Sequence, residues 1–408
     1  MEHFLECINC KARYDPEEIM YTCEKCGDLL EVKYDYTKIS RSFREEDWFS
    51  RPLNVWRYRE LLPIRDPSKI VSLQEGGTSL QHCNRLGSEL KLKCVFVKNE
   101  GENPTGSFKD RGMTVGVTKA IELGSKIVAC ASTGNTSASL AAYAAKAGLT
   151  SIVFIPSGKI ALGKLTQAMI HGANIVQIKG SFDDALKTMI SFTESHREVY
   201  LLNSINPYRI EGQKTLAYEI YNQLEGIGPD TVILPVGNAG NISAIWKGFV
   251  DLQRLGILKH LPRMVGIQAE NAAPITTAFK HQENKIQPLE QPETVATAIR
   301  IGAPVSWKKA LNAVYDSKGL METVSDNEIL EAQKLIARLE GLFIEPASAA
   351  SIAGLKKLIR MGLIDSDERI VCVATGHGLK DPNIVLSTYE RPLEVDTKEE
   401  LIKRILTV

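Results

Sequence analysis

The chain of 408 residues sets 49 lysines and arginines against 49 aspartates and glutamates, a formal net charge of zero, which excludes the basic footprint of a protein held by nucleic acid or by an anionic membrane. Hydrophobic residues at 44% and charged residues at 24% sit at globular averages, so a disordered chain is excluded and two or three domains around a large core are expected. No apolar run reaches the roughly eighteen residues of a membrane span, and Met1-Glu2-His3-Phe4 lacks a basic-then-apolar leader, so a cytoplasmic protein is expected.

The first element is a doubled CxxC. Cys7 and Cys10, then Cys23 and Cys26 with Gly27 behind them, put four thiols on two tight turns, the soft tetrahedral set that Zn2+ favours. The twelve residues between the pairs have room for two hairpin strands. Residues 1–35 read as a zinc-ribbon-like segment, too short to bury enough apolar area unaided and so stabilised by its metal; four free thiols in a reducing compartment are the alternative. Acids and bases are mixed evenly along it, so it reads as a structural appendage rather than a partner-binding surface. Cys83, Cys94, Cys130 and Cys372 lie scattered, mostly in apolar runs, and read as small core residues without demanding a disulfide.

Residues 36–90 are mixed, rich in Arg, Trp and Pro, with a turn at Gly76-Gly77. After the apolar run Cys94-Val95-Phe96-Val97 comes Gly101-Glu102-Asn103-Pro104-Thr105-Gly106-Ser107-Phe108-Lys109-Asp110-Arg111-Gly112. Glycine and proline supply conformations that a regular element forbids, so turn formers on both sides of one lysine indicate a bent backbone that presents Lys109. A P-loop needs its lysine directly after the second glycine and then Ser or Thr; here Ser107 and Phe108 stand between Gly106 and Lys109. An exposed lysine without a role is the alternative, because most lysines are strongly solvated. A small-residue helix is expected over 113–123.

From residue 92 onward, short apolar runs alternate with helical periods. Strands are expected over 95–98, 126–131, 151–155, 175–178, 199–202, 231–236, 264–269 and 370–374, and helices over 136–147, 182–196, 212–225 and 242–255. That alternation means an α/β protein with mostly parallel sheets covered on both faces. Ser325 and Glu328 form a capping box for a helix closed by Gly341. A further helix begins near Pro346 with Ala347-Ser348-Ala349-Ala350, and both helices read as architecture.

In parallel sheets, ligands gather where strand ends meet helix N-termini, and three more loops fall there. Ala131-Ser132-Thr133-Gly134-Asn135-Thr136-Ser137 offers hydroxyls and backbone N–H groups suited to a carboxylate, and Asn135 adds an amide for a ring oxygen; ordinary N-capping is the alternative. Pro235-Val236-Gly237-Asn238-Ala239-Gly240-Asn241 lets backbone approach closely at a helix start, a setting for phosphate. In Val373-Ala374-Thr375-Gly376-His377-Gly378, Thr375 offers a hydroxyl to a heteroaromatic nitrogen, and His377 reads as an incidental turn residue. An imine-forming lysine, a phosphate cradle, a hydroxyl for a ring nitrogen and a carboxylate loop together describe a pyridoxal phosphate site.

Asn103-Pro104-Thr105-Gly106-Ser107-Phe108-Lys109-Asp110-Arg111-Gly112 resembles the cofactor-lysine motif of the threonine synthases, in the tryptophan-synthase-β-like, fold-type-II class of pyridoxal phosphate enzymes. The likeness extends through 132–136, Gly158-Lys159-Ile160-Ala161-Leu162-Gly163-Lys164, Asn203-Ser204-Ile205-Asn206-Pro207-Tyr208-Arg209, Gly237-Asn238-Ala239-Gly240-Asn241 and Thr375-Gly376, over roughly residues 70–385; cysteine ribbons occur in that family too.

The resemblance implies a lyase that converts O-phosphohomoserine and water to threonine and phosphate. It implies that Lys109 holds the cofactor and shuttles protons, Asn135 contacts the ring hydroxyl, Gly237, Asn238, Ala239, Gly240 and Asn241 bind the cofactor phosphate, and Thr375 faces the pyridine nitrogen. Ser132, Thr133, Asn135 and Thr136 would hold the substrate carboxylate, and Asn203, Ser204, Arg209 and Asn238 its phosphate. Cysteate synthase, using O-phosphoserine and sulfite, is the near alternative, and a non-catalytic zinc-ribbon binding protein the distant one. The expected organisation is a ribbon at 1–35, a large cofactor-binding α/β domain from 36–115 and 205–408, and a small α/β domain at 116–204. A homodimer with a small-molecule substrate, and no nucleic-acid or membrane partner, is expected, with glycines 112 and 212 near a boundary that permits closure.

Overall fold

The computed structural model describes residues 3–157, 165–180, 182–196 and 198–388. The run Gly158 to Lys164 quoted for the resemblance, and residues 389–408 of the expected large domain, lie outside the described residues.

Alternating burial builds the first sheet. In β1 (His3–Cys7) the first, third and fifth residues are buried and those between are half-buried, so one face lies against the body. β2 (Arg13–Tyr14) and β3 (Leu30–Tyr34) flank it in the antiparallel order β2-β1-β3. The interval between the cysteine pairs, which has room for two hairpin strands, holds the two-residue β2 and a single antiparallel bridge of Thr22 to Leu29, while Pro16, Glu17 and Tyr21 contact the body.

β4 (Leu80–His82) and β5 (Cys94–Asn99) open the largest sheet. The chain then leaves it to build a second sheet from β6 (Ile127–Ala131), β7 (Thr150–Pro156), β8 (Asn174–Ile178) and β9 (Val199–Leu201). It returns with β10 (Thr231–Pro235), β11 (Arg263–Ala269), β12 (Leu320–Val324) and β13 (Arg369–Ala374). The large sheet runs β12-β11-β10-β13-β5-β4, parallel except for β4; the smaller runs β8-β7-β6-β9, wholly parallel. All five residues of β10 are buried, as a strand covered on both faces requires. β4 and β12 were not expected: β4 is a three-residue antiparallel edge, and in β12 Glu322 interrupts the apolar run that marks the other strands.

The capping box at Ser325 and Glu328 forms, and Gly341 ends that helix at φ +70°. Two helices depart from expectation. The cofactor-lysine helix spans Lys109–Glu122, so Lys109 opens the helix instead of sitting in a loop before it. The helix expected over 212–225 is two, Pro207–Gln213 and Thr215–Gln223. The first starts early because the Asn206 side chain accepts the Tyr208 N–H at 2.9 Å and Pro207 needs no donor at the first helical position.

The helices Lys109–Glu122 and Pro207–Gln213 meet backbone to backbone. A Cβ added at Gly212 would stand 1.7 Å from the Arg111 carbonyl oxygen, and one at Gly112 would stand 2.9 Å from that of Arg209. These glycines are a crossing point between packed helices, not loop residues.

Candidate active site

The lysine loop is fixed by its neighbours before Lys109 does anything. Phe108 N–H donates to the Thr375 carbonyl at 3.0 Å and His377 N–H to the Gly106 carbonyl at 2.9 Å, so loops separated by more than 260 residues of chain lie side by side. Asp110 turns back into the loop, accepting from Thr105 N–H (2.7 Å), Thr105 Oγ1 (2.6 Å) and Ser139 Oγ (2.5 Å). Arg111 points away, into a fully buried network with Glu100 (2.6 Å) and Glu219 (2.7 Å), the latter also held by Lys98 (2.8 Å). Paired this way the buried charges satisfy one another, and Arg111 is an anchor. Only Lys109 of the three faces the site.

Burial lowers the Lys109 ammonium to about 7; the Arg209 guanidinium adds to that and Glu345 opposes it. A lysine in this state carries a substantial share of neutral, nucleophilic amine near neutrality. Its Nζ lies 4.0 Å over the Phe108 ring.

Glu345 was missed by sequence reasoning. It precedes Pro346 at the start of the helix Pro346–Arg360, is buried, and joins the two residues expected at the ring. Asn135 Nδ2 donates to its Oε2 at 3.0 Å and Thr375 Oγ1 to its Oε1 at 3.1 Å. Burial raises its carboxyl above the ordinary range, against those two hydrogen bonds. Ser348 Oγ lies 3.0 Å from Thr375 Oγ1 and accepts the Gly376 N–H at 2.9 Å, so part of what read as small-residue packing also holds Thr375. An acidic residue in an apolar run directly before Pro was the available signal. His377 accepts the Leu379 N–H at 3.1 Å in a short turn, as its incidental reading expected.

The loop 237–241 leads into the helix Gly240–Arg254 through Ala239, held at φ +65°. Its successive N–H groups make no hydrogen bond among the described residues, the arrangement that receives an anion. The Asn238 side chain is turned to the Val305 N–H (3.4 Å).

Packed along the helix of Lys109, with its Cγ 3.5 Å from a Cβ built on Gly116, is Arg209, 3% exposed, lowered by burial to about 10 and with no carboxylate against it among the described residues. Its Nε, Gln213 Oε1, both polar side-chain atoms of Asn241 and Ser107 Oγ are buried without a hydrogen-bond partner there. Gln213 reaches both the 237–241 loop and the helix of Lys109: its Oε1 lies 3.9 Å from a Cβ built on Gly240, and its Nε2 3.0 Å from one built on Gly112. Buried polar atoms are rarely left unmade. Unfulfilled donors on two loops beside an amine-bearing lysine fit a phosphorylated aldehyde cofactor and an anionic substrate.

At the neighbouring ends of β6 and β9, Asn203 uses both ends of its amide on Ala131, accepting its N–H (2.8 Å) and donating to its carbonyl (3.1 Å). It therefore splices the two loops together. Ser132 Oγ accepts the Gly134 N–H at 3.2 Å; Thr133, Thr136 and Ser204 stand half-buried beside it.

In the ribbon, Cys7 and Cys26 Sγ are 3.5 Å apart, Cys10 and Cys23 Sγ 3.4 Å, and all four lie within 4.8 Å of one another. A tetrahedron with bonds of about 2.3 Å has edges of about 3.8 Å, so the four thiols fit a single ion. Gly27, at φ +71°, forms the knuckle turn and donates to the Cys23 carbonyl at 2.8 Å.

Residues 71–376 match the family described as pyridoxal-phosphate dependent enzymes. The chain is 60% identical over 400 residues to the threonine synthase of Methanocaldococcus jannaschii, covering 98% of each, and 55% identical over 405 residues to that of Methanosarcina acetivorans, covering 99% of this chain and 98% of the other. Among solved structures, its fold is similar to the processed form of threonine deaminase isoform 2 from Solanum lycopersicum, with a TM-score of 0.66 at 19% identity, over 92% of this chain and 98% of that one.

Proposed function

This chain belongs to the pyridoxal-phosphate-dependent enzymes and is a lyase with threonine synthase activity, and we propose that it performs that reaction, O-phospho-L-homoserine plus water to L-threonine plus phosphate, with the residues described above. The observation that carries the residue assignment is Arg209, a buried guanidinium with an unmade hydrogen bond beside the amine of Lys109.

Bound pyridoxal phosphate supplies an electron sink for the charge left on carbon when a proton departs. Lys109 would hold the cofactor and then, its amine freed and poised near neutrality, take the proton from the substrate Cα and move protons at Cβ. The N–H groups of Gly237, Asn238, Ala239, Gly240 and Asn241 would bind the cofactor phosphate. Thr375 would present a hydroxyl to the ring nitrogen and Asn135 its amide to the ring oxygen, both oriented by Glu345. Ser132, Thr133, Asn135 and Thr136 would hold the substrate carboxylate. Arg209, with Ser204 and Asn238, would hold the substrate's phosphate and stabilise it as it leaves, while Asn203 keeps the two loops in register.

The test is phosphate and threonine release from O-phosphohomoserine by purified protein. Phosphate release from O-phosphoserine with sulfite, and none from phosphohomoserine, would instead indicate cysteate synthase; the two substrates differ by one methylene. The intact Lys109 site argues against a non-catalytic binding protein.

The same reading assigns Zn2+ to Cys7, Cys10, Cys23 and Cys26, supported by the sulfur spacing and checked by metal analysis of protein purified without chelator. That none of the eight cysteines is in a disulfide supports a cytoplasmic location, and no helix among the described residues is long and apolar enough to cross a membrane. We carry forward the division into 1–35, 36–115 with 205–408, and 116–204, supported by the separate sheets; the helix Lys109–Glu122 runs unbroken through 115 and 116. A homodimer is the assembly to test by light scattering.

A further inference from the structure

The ribbon is more than the appendage its sequence suggests. Leu5, Cys7, Cys23, Leu30, Val32 and Tyr34 are buried in one cluster with Tyr208, Leu216 and Tyr218 of the body. The residues between the cysteine pairs reach the elements that carry the site's cations. Glu17 Oε1 lies 3.3 Å from Lys119 Nζ, on the helix that opens with Lys109. The Pro16 carbonyl accepts the hydroxyl of Tyr208, the residue before Arg209, at 2.8 Å. Tyr21 Oη accepts the Leu201 N–H at 2.7 Å, on the free edge of β9 and two residues before Asn203. From β3, the Tyr34 hydroxyl donates to Glu211 Oε2 at 2.7 Å.

The helix Pro207–Gln213 is therefore gripped on two sides. Tyr208 and Glu211 meet the ribbon, while Arg209 and Gly212 meet the helix of Lys109. Seven residues make a helix too short to hold itself together, and among the described residues Arg209 has no ion-pair partner to locate its head group. The position of Arg209 is then set by whatever packs on that helix.

We propose that the ribbon is the outer wall of the anion subsite, a positioning element that holds Arg209 and the 203–206 turn in place through Tyr21, Pro16 and Tyr34. The proposal rests on the reading that Arg209 takes the substrate's phosphate. Ligation of the four thiols by one ion closes both ends of the segment that bears Pro16, Glu17 and Tyr21, so binding of metal orders the wall.

The test uses the full-length holoenzyme with its metal content measured. Tyr21→Phe deletes one acceptor and keeps the ring beside Tyr200 (centroids 5.8 Å apart); Tyr34→Phe deletes the bond to Glu211. Inorganic phosphate binding is measured by titration calorimetry, L-threonine binding likewise, and KM and kcat with O-phosphohomoserine. For both variants we expect the phosphate dissociation constant and KM to rise about three- to tenfold, the effect of loosening one charge-assisted contact. Threonine affinity and the absorbance of the bound cofactor stay within about twofold, since threonine has no phosphate group to engage Arg209. Unchanged phosphate binding in both variants overturns the proposal. So does an equal rise for phosphate and threonine, which is what general loosening produces. Arg209→Gln, run alongside, separates the two readings. Unchanged phosphate binding in that variant overturns the assignment of Arg209 itself, whereas lost binding there with none lost in the tyrosine variants overturns the ribbon's role alone.

Discussion

Arg111 and Arg209 are both buried, both on short-range neighbours of the same helix crossing, and opposite in every electrostatic respect. Arg111 is clasped by Glu100 and Glu219 and held well above its ordinary range. Among the described residues Arg209 faces no carboxylate and keeps an unmade Nε hydrogen bond, and it is lowered by burial. A buried cation that the chain itself neutralises is part of the scaffold, and one that it leaves wanting is waiting for an anion. The contrast also separates neighbours in the lysine motif, where Lys109 serves the site and Asp110 and Arg111 serve the loop.

Substitutions can break or sharpen that contrast. The largest effect should come from Lys109→Ala, which removes the group proposed to hold the cofactor: the visible absorbance of the purified protein and threonine formation should both vanish, a loss of more than about 10³ in kcat. Arg111→Gln should leave Glu100 buried without its ion-pair partner and Glu219 with Lys98 alone, at a cost of about 3–5 kcal/mol in a denaturant titration. Arg209→Gln should do the reverse. It relieves a buried, unpaired charge, so the melting temperature of the cofactor-free protein should hold or rise, while kcat/KM should fall by about 10²–10³. If Arg209→Gln unfolds the protein as readily as Arg111→Gln does, the distinction between scaffold and site cation fails.

A smaller effect, of about tenfold in cofactor affinity, is expected for Glu345→Gln, which keeps the shape but weakens the hold on Asn135 and Thr375; equilibrium dialysis would read it. Burial and Arg209 depress Lys109 to about 7, and only the neutral amine attacks an aldehyde. The rate of cofactor uptake by cofactor-free protein should therefore rise with pH up to a plateau with its midpoint near 7, not continue toward the lysine range near 10.5. The same shift has a stability counterpart. The unfolded chain binds the extra proton between about 7 and 10.5, so this group's contribution to the stability of cofactor-free protein should rise with pH across that window. Arg209→Gln should move the uptake midpoint upward, because it removes the repelling charge.

Much of the fold was legible because parallel strands buried on both faces leave unbroken apolar runs, as in Thr231–Pro235 and Arg369–Ala374. β12 escaped because Glu322, an ion-pair partner of Lys280 and Lys357, breaks its run, and β4 because a three-residue edge carries little pattern. Within the site, glycines and hydroxyls at strand ends announce themselves as turns with donors, which is why the loops around Asn135, Gly237 and Thr375 could be picked out. Glu345 could not be found in that way, since its meaning lies in contacts 210 and 30 residues away. Asn203 shows the converse difficulty: a motif marks the residue as functional, but only the structure shows its amide engaged with Ala131.

The crossing at Gly112 and Gly212 has a consequence for how the site tolerates change. The gap between the helix of Lys109 and the helix of Arg209, the two side chains proposed to take the cofactor and the substrate's anion, is set by two hydrogen atoms, one on each Cα. A methyl group at Gly212 would need the Arg111 carbonyl to retreat by more than about 1 Å, since no close-packed interior admits a carbon 1.7 Å from an oxygen. Such a wedge would leave every side chain of the proposed site in the sequence and still drive Lys109 and Arg209 apart, so their spacing is encoded by the absence of side chains at two positions.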